Sequence, residues 1–342
     1  MNQKYFIGVD ISKSKLDVAV IDGEYQIILE KVIPNKPAKI HTFLKSLCRK
    51  LKVSSDELLV CCENTGIYGR PLEKICSASE FVLWKENAFK IKKASSDIRG
   101  KSDQKDAMRI ADYALRYRDR VIAFQEPDPQ CAKMKSLMQV RDSLMAQSRV
   151  MKNQLSETKS HAPELYRELS RYFLPALKTL KVQLERVEEE LKQLVESNEA
   201  FNKNLALLTS IPGIGRQNAL QFIAQTDNFT RFESAKHLAC YAGVVPFPYQ
   251  SGTMIRKDRV SHFANRKLKT LIHLAAMSAT RIKGEFQTYY IRKVKEGKNK
   301  MAVINAIRNK LIHRMFSIII RQTPYIKLTT NESIKIDSSV FA

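Results

Sequence analysis

Several things are scarce in this chain, and each absence removes a class of protein. Six cysteines (Cys48, Cys61, Cys62, Cys76, Cys131, Cys240) show neither zinc-ligand spacing nor a disulfide rhythm, so reduced cytosolic thiols are expected. The chain opens Met-Asn-Gln-Lys and turns strand-like at once, so no secretory leader is expected. Its longest uncharged stretch, Leu238–Ile255, carries Pro246, Pro248, Gln250, Ser251 and Gly252, which is the composition of a loop and not of a membrane helix. No short repeat or low-complexity tract is present. Acidic charge is the most telling shortage: 35 Asp and Glu face 58 Lys and Arg, a net charge of +23. Self-repulsion of that size is costly unless a polyanion is the partner, so nucleic acid is expected before anything else.

What is present is enough to fold. Hydrophobic residues make up 44% of the 342, which excludes a disordered chain, and the length suits two domains with a connecting element. Tyr5–Ile11, Leu16–Ile21 and Gln26–Ile33 read as three strands at hairpin spacing. A helix over Ala38–Leu51, a continuously apolar strand Glu57–Cys62, a helix near Tyr68–Cys76 and a buried strand Phe81–Trp84 follow. A strand meander followed by helix-linked strands is the order of an RNase H-like α/β domain.

No glycine occurs between Gly100 and Gly213, and in the later part of that stretch Phe173, Leu177, Leu180, Leu184, Val187, Leu191 and Leu194 repeat at alternating spacings of four and three. That is an a/d seam. Leu137, Val140, Leu144 and Met151 repeat it less cleanly upstream, with Gln147 at the intervening position, and His161-Ala162-Pro163 separates the two. Two long helices in an antiparallel hairpin are expected, with the seam buried in one chain or shared by a dimer. Beyond Leu205 the pattern reads all-α, with helices over Arg216–Gln225, Leu238–Ala242, Phe263–Thr280 and Met301–Arg321 and a loop over Val244–Asp258. The expected division is 1–125, an RNase H-like domain; 126–203, a coiled-coil connector; and 204–342, a mainly α C-terminal domain.

Four carboxylates stand where chemistry could use them. Asp10 lies near the end of the first strand, Glu63 ends the strand ELLVCC, and Asp103 and Asp106 share one face of a helix beginning at Lys101-Ser102. Singly, each is explained as a turn or helix cap. Together, in a domain of this strand order and a chain this basic, they suit two Mg²⁺ ions that hold a scissile phosphate. Ile211-Pro212-Gly213-Ile214-Gly215 resembles the turn of a helix-hairpin-helix, in which Gly213 and Gly215 permit a tight bend beside a phosphate-facing helix start. Between Ser251 and Arg314 there are 16 Lys and Arg, among them Arg256, Lys257, Arg259, Arg266, Lys267 and Lys269, against three acids. A solvated face would mix signs, so this stretch reads as a nucleic-acid-binding surface. Tyr289 and Tyr290 fall among these charges and could stack on bases or pack in the core. Ser251 precedes a glycine and is sterically open, yet no His–Asp relay is readable beside it, and chemistry alone does not assign it a role.

The ordered run GVDISKSKLDVAV, CCENTGIYG, KSDQKDAMRIADY, SIPGIGRQNA and AGVVPFPYQSG resembles the DEDD transposases of the insertion sequence 110 family, bridge-RNA-guided recombinases related to the pilin-gene invertases. The resemblance implies a RuvC-like (RNase H-like) N-terminal domain, a coiled-coil connector and a C-terminal transposase domain. It implies that Asp10, Glu63, Asp103 and Asp106 hold two Mg²⁺, and that Ser251 is a nucleophile forming a phosphoserine link to DNA. It further implies donor and target DNA as substrates, a structured bridge RNA as guide, a dimer or tetramer as the working assembly, and a place at the nucleoid of a bacterial cytoplasm. Two competing functions remain on the residues alone: a resolvase-like nuclease using water, which needs the acids but not Ser251, and a non-catalytic nucleic-acid-binding protein. An actin-like ATPase is disfavoured, because no second glycine-rich phosphate loop occurs in the N-terminal domain.

Overall fold

The computed structural model describes residues 3–94, 103–251, 254–260 and 264–326. The chain divides into two compact units, Met1–Glu126 and Pro127–Ala342. No helix among the described residues is long and apolar enough to cross a membrane.

The first unit is a mixed five-stranded sheet with helices on both faces. Strands β1 (Tyr5–Ile11), β2 (Lys15–Asp22) and β3 (Ile27–Pro34) form an antiparallel meander. After helix α1 (Pro37–Leu51), strand β4 (Leu58–Glu63) pairs parallel to β1. Helix α2 (Arg70–Ala78) leads to β5 (Val82–Glu86), parallel to β4, for a sheet order of β3-β2-β1-β4-β5. Helices α3 (Ala88–Ala94) and α4 (Asp103–Arg116) complete the unit. This order is compatible with an RNase H-like domain.

The two-residue period of the strands sorts the core into two layers. Ile7, Val9, Leu16, Val18 and Val60 meet Ile40, Leu44 and Leu72 of α1 and α2 on one face. Phe6, Ala19, Ile21, Leu59 and Cys61 meet Ile110, Ala111 and Ala114 of α4 on the other. Because helices cover both faces, the central strands β1, β2 and β4 are almost continuously apolar, whereas the edge strand β3 is largely exposed.

The second unit begins with two long helices, α5 (Pro129–His161) and α6 (Pro163–Glu196), each opening with a proline at its first turn, where the missing N–H costs nothing. They pack along each other, and Arg141 of α5 pairs with Glu188 of α6 at 2.9 Å. All seven seam residues of α6 are buried or half-buried, so the seam meets α5 of the same chain. On α5 the covered stripe is Met134, Met138, Leu144, Met151 and Leu155, while Val140 is 47% exposed and Gln147 is exposed. The stripe expected from Val140 is therefore displaced. Arg141 and Ser148, one residue beyond the expected positions 140 and 147, stand on the covered side instead, since a polar side chain that finds a partner, as Arg141 does, can stand in a seam.

Helices α7 (Glu199–Thr209), α8 (Arg216–Gln225) and α9 (Ala235–Tyr241) follow. Next come strands β6 (Pro246–Ser251) and β7 (Met254–Val260), then helices α10 (Arg266–Ala279), α11 (Glu285–Lys295) and α12 (Lys300–Arg321). Their core runs without a break into the roots of α5 and α6, with Met134, Met138, Leu191 and Leu194 in one cluster with Leu208, Phe222 and Leu311. Two expectations do not hold. The segment Val244–Asp258 is not a loop, and the region is not all-α: β6 and β7 form an antiparallel hairpin, paired from Pro246 with Val260 to Ser251 with Met254. Its prolines have the look of loop punctuation. In a two-stranded ribbon both strands are edges, where proline is tolerated, and Pro248 sits at the register shift between Phe247 and Tyr249. Helix α11 lies outside those expectations, because its apolar residues are interrupted by charge and only Phe286 is fully buried.

Candidate active site

Three elements carry the four acids to one end of the sheet. Asp10 is the penultimate residue of β1, and β4 runs parallel beside it with Val9 opposite Cys62, so Glu63 at the end of β4 comes next to Asp10. Helix α4 crosses β1 so closely that a Cβ at Gly8 would collide with the Ala107 carbonyl and the Ala111 backbone nitrogen. Gly8, Ala107 and Ala111 are small for that reason, and the contact brings the first turn of α4, with Asp103 and Asp106, to the same end.

The acids feel one another. Burial raises the Asp10 carboxyl above its ordinary range, and the negative charges of Asp103, Asp106 and Asp17 raise it further, against one backbone N–H that favours the anion. Glu63 is raised in the same way, by burial and then by Asp10 and Asp106. Asp106 also accepts from Arg109, one turn along α4, at 2.6 Å.

Four side chains at this end were missed by the sequence reading. Asp17 of β2 is 3% exposed and lies directly across the hairpin from Asp10. Lys15, at the start of β2, places its ammonium 3.0 Å from Asp17 and 2.9 Å from Asp103. Arg109 is the third. Glu86 ends β5 opposite Glu63 and accepts from Tyr113 at 3.2 Å and from the Asn87 N–H at 2.7 Å. Asp17 was legible in principle: a carboxylate inside the apolar run LDVAV, in a hairpin whose other arm carries Asp10, falls on the same pair.

Three half-buried carboxylates, Asp10, Glu63 and Asp106, beside the exposed Asp103 are oxygen donors of the kind that suit a hard divalent cation such as Mg²⁺, which these four would hold. Among the described residues, the one trio of metal-type ligand atoms within 4.8 Å of each other lies elsewhere, at Asp128, Cys131 and Asp227. Those carboxylates already serve the backbone: Asp128 caps α5 through the Cys131 N–H at 2.9 Å, and Asp227 accepts the Asp128 N–H at 3.2 Å.

In the second unit Ser251 is the last residue of β6, opposite Met254 at the tip of the hairpin. The side chains of Ser251, Arg256, Lys257 and Arg259 lie outside the described residues. Gly213 has φ +90° and packs against the backbone of α10 at Ala275 and Ala279, so a side chain there would be excluded both by conformation and by space. Gly215 caps α8 and has open space around it. Of the three cations at the start of α10, Arg266 is exposed, Lys269 is half-exposed, and Lys267 is paired with Asp142 of α5. Tyr289 and Tyr290 pack against the core, with the Lys310 ammonium 4.9 Å above the Tyr289 ring. Arg308 is half-buried, pushed down in pKa by desolvation, and placed 2.6 Å from Nδ1 of His273, which is itself pushed down by burial and by the Arg308 charge.

Comparison with known proteins bears on the whole chain. Residues 7–158 match the DEDD transposase family of the IS110 type, and residues 205–291 match the family described as "Transposase IS116/IS110/IS902". The chain is 26% identical over 330 residues to the pilin gene-inverting protein of Moraxella lacunata, covering 95% of this chain and 98% of that one. The corresponding Moraxella bovis protein is 25% identical over the same shares. A transposase for insertion sequence element IS1111A of Coxiella burnetii is 24% identical over 254 residues, or 66% of this chain and 68% of that one. With the two family matches in chain order and relatives aligned almost end to end, the chain belongs to the IS110 family of insertion-sequence transposases.

Proposed function

We propose that this protein is a DNA strand-transfer recombinase whose acids Asp10, Glu63, Asp103 and Asp106 form a divalent-metal site and whose Ser251 is the nucleophile. Membership of a transposase family implies an enzyme that binds, cuts and rejoins DNA. The observation that carries the metal-site reading is the convergence of β1, β4 and α4, which brings four carboxylates to one sheet end, where Asp10 and Glu63 are raised by burial and by the charges of neighbouring acids. Two Mg²⁺ bound there would neutralise the phosphate and stabilise the departing oxygen. Glu63 and Asp10 stand on adjacent hydrogen-bonded strands, which hold their separation, while Asp103 and Asp106 supply oxygens from one helix face.

In the chemical step the Ser251 oxygen bonds to phosphorus as the bond to the departing strand breaks, and that strand leaves as a hydroxyl carrying the serine's proton. The hydroxyl of the partner strand then displaces serine, so the phosphodiester energy is conserved and no free phosphate end is released. Likeness to pilin gene-inverting proteins along 95% of the chain supports site-specific rejoining over simple cutting. The basic stretch from Arg256 through Lys269, with the open start of α8 at Gly215, is the proposed nucleic-acid surface. A structured bridge RNA and a dimer or tetramer complete the reading.

The test is a denaturing gel of end-labelled DNA spanning the element junction, incubated with Mg²⁺, co-purified RNA and wild-type, Ser251→Ala or Asp103→Asn protein. A protease-sensitive DNA adduct in wild type alone, with both variants reduced at least ~10³-fold, is expected. Cutting without an adduct by wild type and Ser251→Ala alike would make the protein a metal nuclease that uses water. Undiminished cutting by Asp103→Asn would remove the tetrad.

A further inference from the structure

One cation is built into the acidic end of the sheet. Lys15 follows the tight turn Ser12-Lys13-Ser14 between β1 and β2, and that turn is tied from several sides. The Ser12 hydroxyl donates to the Lys15 carbonyl at 2.8 Å and accepts the Lys15 N–H at 3.3 Å. The Asn35 side chain donates to the carbonyls of Ser12 at 2.9 Å and Tyr68 at 3.0 Å, and the Asn35 N–H bonds to Ser14 at 3.0 Å. The base of the Lys15 side chain is thereby fixed, and its ammonium reaches two carboxylates of unlike character. Asp17 is buried inside the sheet at 3% exposure, whereas the Asp103 side chain is 58% exposed on the first turn of α4.

That asymmetry divides the contact into a permanent half and an exchangeable half. A buried carboxylate left without its ammonium would carry a large desolvation penalty, so Lys15 stays with Asp17. An exposed ion pair is weak, so Lys15 leaves Asp103 readily when a stronger cation arrives. We infer that Lys15 is an internal counter-ion that competes with the divalent metal for Asp103 and, once displaced, remains tethered by Asp17 at the site as a donor to a phosphate oxygen of the DNA strand. The inference rests on the proposed metal-binding role of Asp103. It adds that metal loading and phosphate capture are coupled through one side chain: the ion that occupies Asp103 releases the ammonium that the DNA then uses. Asp17 is a positioning residue in this arrangement, acting only through Lys15.

The consequence is a pair of effects with opposite signs. A residue that merely helps the fold would weaken metal binding and strand cleavage together when removed. Removing a competitor tightens metal binding while cleavage falls. The experiment is a Mn²⁺ titration followed by electron paramagnetic resonance on the full-length, DNA-free protein. Wild type, Lys15→Met and Lys15→Arg are compared, and Asp103→Asn identifies the ions bound at the tetrad apart from any held by Asp128, Cys131 and Asp227.

The Asp103-dependent Mn²⁺ should bind about three- to tenfold more tightly in Lys15→Met and close to wild type in Lys15→Arg, which keeps the charge. Cleavage of junction DNA at saturating Mn²⁺ should fall about tenfold or more in Lys15→Met and be partly restored in Lys15→Arg. Asp17→Asn, which frees Lys15 to stay wholly on Asp103, should weaken Mn²⁺ binding. Unchanged or weaker Mn²⁺ binding in a folded Lys15→Met protein, with Asp103-dependent binding intact in wild type, would overturn the inference while leaving the tetrad standing. If wild type and Asp103→Asn bind Mn²⁺ alike, the metal-site reading fails and the inference fails with it.

Discussion

The two units carry opposite electrostatic burdens. At the sheet end of the first, partly buried carboxylates are gathered until Asp10 and Glu63 hold their protons more tightly than free carboxyls do. In the helical part of the second, burial and like charges push the other way: Arg308, Lys310, His273 and His313 are all driven toward their neutral forms. Lys310 and His313 are moved first by desolvation and next by neighbouring cations, Arg314 in both cases. Each region concentrates one sign at a cost to folding, and each would be relieved by a ligand of the other sign. A divalent cation suits the first and a polyanion the second. The lesson is that a charge cluster that weakens its own fold marks a site more reliably than charge alone. Pairs already satisfied internally, such as Arg314 with Glu285 at 3.0 Å, do not count toward it.

The largest effect should come from the contact that assembles the acids. Gly8→Ala forces α4 away from β1 and should cost about 2–3 kcal/mol or more, seen as a lowered thermal midpoint, together with loss of cleavage as Asp103 and Asp106 move. Gly23→Ala, where a Cβ meets nothing within 4 Å, is the control and should stay within ~0.5 kcal/mol of wild type. Equal midpoints for the two variants would mean that the close approach of α4 does not organise the acidic end.

A smaller effect separates free from satisfied cations in the second unit. Substituting alanine for exposed Arg266 or half-exposed Lys269 should lower the slope of log binding constant against log salt by about 0.9 each, measured with duplex DNA. Lys267→Ala should change the slope less, because its charge is already opposed by Asp142. A full unit lost at Lys267 would show that DNA outcompetes that ion pair.

The smallest effect is in pH dependence, and its sign should differ between the units. Asp10 and Glu63 have raised pKa values, so the native state binds protons more readily than the unfolded chain. The resulting cost appears as pH rises through the ordinary carboxylate range and persists above it. Asp10→Asn should therefore raise the midpoint at pH 7 by about 1–3 °C in chelator, a modest figure because the group is half exposed. His273 and His313 have lowered values, so stability should instead fall as pH drops through the ordinary imidazole value of 6.5. Hydrogen exchange resolved by segment would check both. Between pH 7 and 5, protection in α10 and α12 should fall, while that in β1 and α4 should not. Parallel loss in all four segments would erase the contrast.

Much of this was readable in the primary structure, because local periodicity reports local structure. The five N-terminal strands, the long helices on either side of His161-Ala162-Pro163 and the four acids each announced themselves through spacing and a neighbouring apolar run. The role proposed for Ser251 came only through the resemblance of its surroundings to a family. The hairpin of β6 and β7 was hidden, since edge strands tolerate the very prolines that signal a loop, and the α5 stripe was misplaced by one residue, where Arg141 and not Val140 faces α6.

Sequence by itself determined the N-terminal strands, the long helices and which acids stand at their ends, since alternation and helical period follow from the chain's own geometry. Tertiary structure alone decided the company those acids keep. Lys15 and Asp103 are 88 positions apart, and Lys267 and Asp142 are 125. Whether a charge is free for a ligand or already answered depends on such pairings, because Coulomb energy follows distance in space and not separation along the chain.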